Sequence, residues 1–166
     1  MSNNYNIPAL IERMADELQQ KISIDAQTVM VGIHTGGVWV AEVLHKLLGI
    51  QEPLGALDIS FYRDDFTRIG MNPQVKPSQL PFSLEGRHII LVDDVLHTGR
   101  TIRAAMNELF DYGRPASISL AVLVERGGRE LPVEAQVTGV KIKLAENEHV
   151  KLSGPEPLSL EVRDLS

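Results

Sequence analysis

The run from His88 to Thr101, His-Ile-Ile-Leu-Val-Asp-Asp-Val-Leu-His-Thr-Gly-Arg-Thr, constrains this chain more than any other stretch. Ile89 to Val92 are uninterrupted apolar residues, the pattern of a strand buried on both faces of a parallel sheet. Asp93 and Asp94 close that run, and a short turn holding Thr98, Gly99 and Thr101 follows. From Thr101 the apolar positions Ile102, Ala105, Met106, Leu109 and Phe110 recur at helical spacing. A strand feeding a helix through a short polar turn predicts an α/β fold with helices covering a parallel sheet.

The junction carries its own chemistry. The first turn of a helix has N–H groups without intrahelical partners and the positive end of the macrodipole, so it attracts anions. Gly99 lets the backbone come close to a phosphate, and the Thr98 and Thr101 hydroxyls with the Arg100 N–H can donate to its oxygens. Asp93 and Asp94 stand just before that cradle, placed to accept from sugar hydroxyls or to hold Mg²⁺ directly or through water. Together they describe a site for a phosphorylated ribose. The plainer reading is a strand-to-helix turn in which Asp and Thr only cap the helix. A nucleotide P-loop is excluded, because the Gly-x-x-x-x-Gly-Lys-Ser/Thr spacing is missing.

The chain has 166 residues, which suits one domain with a proper core. No apolar run reaches the ~20 residues of a membrane span, and Met1 to Tyr5 lacks the basic-then-apolar pattern of a targeting segment. The absence of cysteine excludes disulfides and thiolate chemistry, so a cytoplasmic protein without membrane association is expected. A net charge of −6 gives no general attraction to nucleic acid, leaving only a local basic patch for such a role.

Ile7, Leu10, Ile11, Met14, Leu18 and Ile22 predict an amphipathic first helix. Thr28 to Ile33 reads as a first core strand, followed by the turn His34-Thr35-Gly36-Gly37 and a helix from Val38 to Leu48 with Val40, Val43, Leu44 and Leu47 inward. Ligands of open parallel sheets bind beyond the carboxyl ends of the strands, so the 35–37 and 93–101 turns are expected to face one site. Leu57, Ile59 and Phe61 alternate with Asp58, Ser60 and Tyr62, predicting a half-buried strand. The stretch from about 63 to 81 shows no periodicity and is read as a flexible loop. Tyr112-Gly113-Arg114-Pro115 stops the central helix, and Ile118 with Leu120 to Val124 makes another buried strand. Arg126-Gly127-Gly128-Arg129 then falls at a carboxyl end. Beyond it, Val140, Ile142 and Leu144, then Leu158, Leu160 and Val162, alternate as strands. The core is thus expected over about 28–133, with a β tail over about 134–166 forming a small hood.

Val92-Asp93-Asp94-Val95-Leu96-His97-Thr98-Gly99-Arg100-Thr101 resembles the signature of the type I phosphoribosyltransferases, which bind 5-phosphoribosyl 1-diphosphate. The segments 58–65, Asp111 to Pro115 and Arg126 to Pro132 are similar to one branch, which joins uracil phosphoribosyltransferase activity to control of pyrimidine operons. The resemblance implies that residues 95–101 bind the 5-phosphate and that Asp93 and Asp94 act in catalysis and hold Mg²⁺. It implies that Thr35, Gly36 and Gly37 bind the diphosphate, with Tyr62, Arg63 and Arg68 reaching it from the loop, Arg63 as a catalytic group. His97, Arg126 and Val140 would meet the base. The implied reaction is uracil plus phosphoribosyl diphosphate giving uridine monophosphate (UMP) and diphosphate, in a homodimer or homotetramer.

Three departures from the branch stand out. Gly36 replaces an arginine common among relatives, His97 a tyrosine, and Gly128 a histidine. The sequence after residue 132 also diverges. A second reading therefore stays open, an RNA-binding attenuation regulator that senses UMP or UTP with little catalysis. A purine or orotate transferase is a third. The missing aspartate at His97, which purine-using relatives commonly carry, favours a pyrimidine acceptor.

Overall fold

The computed structural model describes residues 5–59 and 78–164. Among the described residues, three helices and seven strands run in the order α1 (Ile7–Lys21), β1 (Thr28–Ile33), α2 (Gly36–Leu48), β2 (Gly55–Leu57), β3 (His88–Leu96), α3 (Arg100–Tyr112), β4 (Ser117–Arg126), β5 (Val137–Ile142), β6 (Glu148–Ser153) and β7 (Ser159–Asp164). Strands β2-β1-β3-β4-β5 form one sheet, parallel at every pairing. β6 and β7 form a separate antiparallel hairpin.

Alternation along the central strands divides the core between the two faces of the sheet. Met30, Ile90 and Val92 face α1 and α2, where Ile11, Met14, Leu18, Val40 and Leu44 bury against them. Val29, Val31, Ile89 and Leu91 face the other way onto Ile102, Ala105 and Leu109 of α3. Burying such a large aliphatic side chain contributes about 2 kcal/mol. Gly32 lets α2 lie close to the sheet, since a Cβ there would meet the Val38 Cα at 2.9 Å.

Helix ends follow the local chemistry. Asn6 caps α1 by accepting from the Ala9 N–H at 3.1 Å, and Lys21 sits in its last turn. Gly49, at φ 63°, ends α2 in the left-handed conformation that glycine tolerates best.

Several expectations need correction. Strand β3 runs through both aspartates to Leu96, because Val95 and Leu96 still pair with Val124 and Glu125 of β4. Of the strand expected over 57–62, the described residues 58 and 59 lie beyond β2, which is Gly55–Leu57: β1 ends at Ile33, and the His34 N–H closes the ladder on the Leu57 carbonyl. Ile59 is buried as expected, while Phe61 and Tyr62 lie outside the described residues. In α2 the inward stripe is Val40, Ala41, Leu44 and Leu48, which leaves Val43 and Leu47 at 36% and 44% exposure. Phe110 is likewise exposed, because Ile102, Ala105 and Leu109 already fill the inner face of α3.

The tail divides in two. β5 extends the parallel sheet to Ile142, whereas the β6–β7 hairpin packs Val150, Leu152 and Leu160 into the α1/α2 side, near Trp39, Val95 and Val140. Among the described residues no helix is long and apolar enough to cross a membrane.

Candidate active site

β1 continues outward through α2 to β2, and β3 continues in the opposite direction through α3 to β4, so the chain reverses direction between β1 and β3. Open α/β sheets bind ligands at such a reversal, beyond the carboxyl ends of the strands. His34 to Gly37 forms one wall and Asp93 to Thr101 the other.

The two walls touch. A Cβ on Gly37 would lie 2.7 Å from the Val92 carbonyl oxygen and 3.2 Å from Asp93 Oδ1. One on Gly36 would lie 2.2 Å from Asp94 Oδ2. The glycine pair is therefore what lets the turn sit against both carboxylates, and an arginine at Gly36 would displace Asp94. Thr35, at the start of α2, makes no side-chain capping bond.

Asp93 is buried and Asp94 half-buried. Asp93 Oδ1 accepts from the Asp94 N–H, and Asp94 Oδ1 accepts from the Val95 N–H, each at 2.8 Å. These bonds orient both side chains against the backbone of β3. Among the described residues no group of three or more His, Asp or Glu gathers around a metal position. Magnesium uses one or two carboxylates and takes its remaining oxygens from phosphate and water. The donor set thus fits an ion arriving with a diphosphate, and not one held in a protein cage.

Gly99, at φ 96°, turns the chain into α3, whose N-terminus has no side-chain cap. Thr98 Oγ1 accepts from the Arg100 N–H at 3.2 Å, while Arg100 Nε donates to Glu130 at 2.9 Å. Only the backbone of Arg100 therefore faces the cradle. The Thr98 carbonyl accepts from the Glu130 and Leu131 N–H groups, and Gly99 packs under Val133. Val95 faces the hairpin side and Leu96 the α3 side, so these two position the loop by packing. Thr101 is half-buried in the first turn of α3.

The 126–131 turn closes the far side. Arg129 donates through Nη1 to the His97 carbonyl, and Gly128, at φ 103°, places its backbone under the imidazole, where a Cβ would meet His97 Nε2 at 3.0 Å. Arg126 donates to the Glu148 carbonyl at 3.1 Å and ties β4 to β6, while its buried Nε has no hydrogen-bond partner. His97 is held below the usual imidazole value of 6.5, first by partial desolvation and then by the Arg126 charge; Glu130 opposes this and Arg129 adds to it. Val140 is half-buried, pairs with Val124 and packs into the cluster shared by α1, α2 and the hairpin.

Thr35, Gly36, Gly37, Asp93, Asp94 and the 97–101 turn thus lie together beyond β1 and β3, with Val95 and Leu96 packed beneath and His97 linking the turn to residues 126–129. Tyr62, Arg63 and Arg68 lie outside the described residues. The sequence reading missed Glu130, which pairs with Arg100, and the carbonyl of Thr98 as the anchor of the 130–131 backbone. No local pattern reports such long-range contacts.

The phosphoribosyl transferase domain model matches residues 2–154. A hypoxanthine-guanine phosphoribosyltransferase from Bacillus anthracis shares the fold with a TM-score of 0.69 at 15% identity, covering 86% of this chain and 83% of that one. The bifunctional protein PyrR of Nitrosococcus oceani is 60% identical over 96% of this chain and 93% of its own length. The chain belongs to the PyrR family of phosphoribosyltransferases. PyrR of Pseudomonas paraeruginosa is 56% identical, over 97% of this chain and 96% of its own. PyrR relatives therefore match almost end to end, including the tail after residue 132 where the sequence diverges from the expected pattern.

Proposed function

We propose that this chain is a uracil phosphoribosyltransferase, forming UMP and diphosphate from uracil and 5-phosphoribosyl 1-diphosphate. The observation that carries the reading is the Gly36–Gly37 turn seated against Asp93 and Asp94, beside the uncapped N-terminus of α3. The first can take a diphosphate and the second a 5-phosphate, with the carboxylates between them for ribose hydroxyls.

The reaction is displacement at the anomeric carbon, with positive charge growing on the ribose ring and negative charge on the leaving group. Asp93 and Asp94 orient the sugar hydroxyls and present negative charge to the cationic ring. Backbone N–H groups at 35–37 stabilise the leaving diphosphate. The 98–101 cradle anchors the 5-phosphate, so that binding energy from a non-reacting group positions the reacting carbon. Asp93 and Asp94 would hold Mg²⁺ directly or through water, and the ion would supply further charge neutralisation to the diphosphate. Arg63, with Tyr62 and Arg68, is assigned to the diphosphate on the family resemblance alone.

The test is diphosphate release with uracil, orotate, hypoxanthine and guanine offered in turn. Turnover with uracil is the expected result, and turnover restricted to a purine or to orotate would sink the assignment.

His97, Arg126 and Val140 are the proposed base-side residues. The lowered pKa of His97 makes its imidazole neutral at pH 7, ready to accept a hydrogen bond or a proton. Because protonation removes that capacity, uracil turnover is expected to fall as pH drops, with a midpoint below 6.5. His97→Gln should abolish this acid limb; an unchanged pH profile in the variant would show that another group titrates. For stability the sign is the same, since the unfolded state binds more protons between the two pKa values and folding weakens as pH falls.

The relatives are named bifunctional, which supports a second, regulatory role: binding the leader RNA of pyrimidine genes when UMP or UTP occupies the crevice. A gel shift with that RNA is expected to strengthen with UMP and weaken steeply with salt. Absence of any shift at low salt, with UMP present, would remove the regulatory reading.

A further inference from the structure

Residues 78–82 run beside the edge strand β2 and tie it to α3. Ala56 and Gln79 exchange both backbone hydrogen bonds at 2.8 Å. Gly55 leaves room for this strap, since a Cβ there would meet Phe82 Cζ at 2.9 Å and Leu80 Cδ2 at 3.2 Å. From that seat Ser78 Oγ donates to Glu108 Oε1 at 2.9 Å and accepts from the Asp58 N–H at 3.3 Å. The Asp58 N–H belongs to the same peptide unit as the Leu57 carbonyl, which accepts from the His34 N–H at 2.9 Å. Three hydrogen bonds thus run in one sense, from the start of the 34–37 turn to a carboxylate on α3. Bonds aligned in this way polarise one another, and a carboxylate acceptor at the end strengthens the set.

Glu108 is a poor choice for stability alone. Its Oε2 is buried and, among the described residues, has no hydrogen-bond partner. An acceptor left in that state costs free energy that an apolar side chain would not. Its place on α3 connects it to the site. Seven residues, close to two turns, separate it from Thr101, so both lie on one stripe of the helix whose N-terminus forms the phosphate cradle.

We infer that Ser78 and Glu108 are positioning residues, a brace that sets the span between the 98–101 cradle and the 34–37 turn. One substrate must reach both, with its 5-phosphate at the first and its diphosphate at the second, so the span decides where the anomeric carbon sits. The catalytic consequence rests on the transferase reading; the brace itself does not. A ligand held at the cradle end only, such as UMP, does not sense the span.

The experiment compares the full-length wild type with Ser78→Ala, Glu108→Ala and Glu108→Gln by hydrogen exchange at the His34 and Asp58 amides, UMP binding and uracil-dependent turnover. Both alanine variants are expected to exchange about tenfold faster at these two amides, while the amides of β3 and β4 keep their protection. Their turnover should fall about thirtyfold with KM for phosphoribosyl diphosphate raised, and UMP affinity should stay within about threefold of the wild type. Glu108→Gln, whose Oε1 still accepts from Ser78, should recover most of both losses. The double alanine variant should lose little more than either single one, because the two residues act through one bond. Unchanged exchange at His34 and Asp58 in both alanine variants, or Glu108→Gln no better than Glu108→Ala, would overturn the inference. So would loss of protection across the whole sheet, which marks Glu108 as a general packing residue. A wild type that turns over no base sinks the transferase reading alone, and exchange at His34 and Asp58 then decides the brace.

Discussion

Asp94→Asn is expected to lower uracil-dependent diphosphate release by about 10³-fold, an effect of about 4 kcal/mol on the transition state. The substitution is nearly isosteric. An asparagine Oδ1 still accepts the Val95 N–H that Asp94 Oδ1 accepts at 2.8 Å, so the end of β3 keeps its shape. What disappears is the charge at Oδ2, the atom that faces Gly36 across the crevice. That charge has its greatest value when the ribose ring becomes cationic, and little before, so the loss should fall on kcat more than on KM. Asp93→Asn alters a buried group that also anchors the Asp94 N–H, and part of its effect would come from local structure. Asp94 is therefore the cleaner position. A variant that folds normally and turns over within about tenfold of the wild type, under 1.4 kcal/mol, would remove Asp94 from the reaction.

How far the sequence disclosed this molecule depends on which forces set each feature. The 88–112 stretch was legible because its two periods are unambiguous: four apolar residues in a row, then Ile102, Ala105 and Leu109 at helical spacing, all of them buried. Gly99 was legible as a turn and Gly36–Gly37 as a glycine loop, but the atoms of Asp94, Val92, Asp93 and Val133 that would obstruct a Cβ at these positions were not. The orientation of α2 was not legible. Val38, Trp39, Val40, Ala41, Val43, Leu44, Leu47 and Leu48 cover most of the helix circumference, so periodicity cannot say which stripe meets the sheet. Contacts with α1 and β3 decide it, and they choose Val40 and Leu44. The tail was ambiguous for a related reason. Alternation describes a sheet edge and a hairpin equally well, so β5 and β6–β7 look alike until pairing partners are known. The His97–Gly128 contact depends wholly on the fold. Two departures from the family pattern that seem unrelated along the chain prove to be neighbours, the imidazole resting where a side chain at 128 would begin.

The two glycines of the diphosphate turn should respond differently to the same change, because different kinds of atom stand in the way. At Gly37 the obstacles are the Val92 carbonyl at 2.7 Å and the Asp93 Cα at 3.0 Å. Both belong to the backbone of β3, which is hydrogen-bonded to β1 on one side and β4 on the other. Neither can yield without disturbing the centre of the sheet, so Gly37→Ala is expected to destabilise the fold by about 2–3 kcal/mol and to lift the turn away from the carboxylates. At Gly36 the nearest atom is Asp94 Oδ2, the far end of a side chain that is half-exposed and able to rotate. Gly36→Ala should therefore cost less than about 1 kcal/mol in urea unfolding, yet reduce turnover severely, since the carboxylate leaves its place between the two phosphate sites. Unfolding curves and diphosphate release measured on both variants separate the two effects. Equal loss of stability at both positions, or full activity in Gly36→Ala, would mean that the turn and the aspartates do not meet as described. The contrast also bears on the arginine that relatives carry in place of Gly36. Introduced alone here, as Gly36→Arg, it must push Asp94 aside, so it is expected to lower activity and not to add a diphosphate contact.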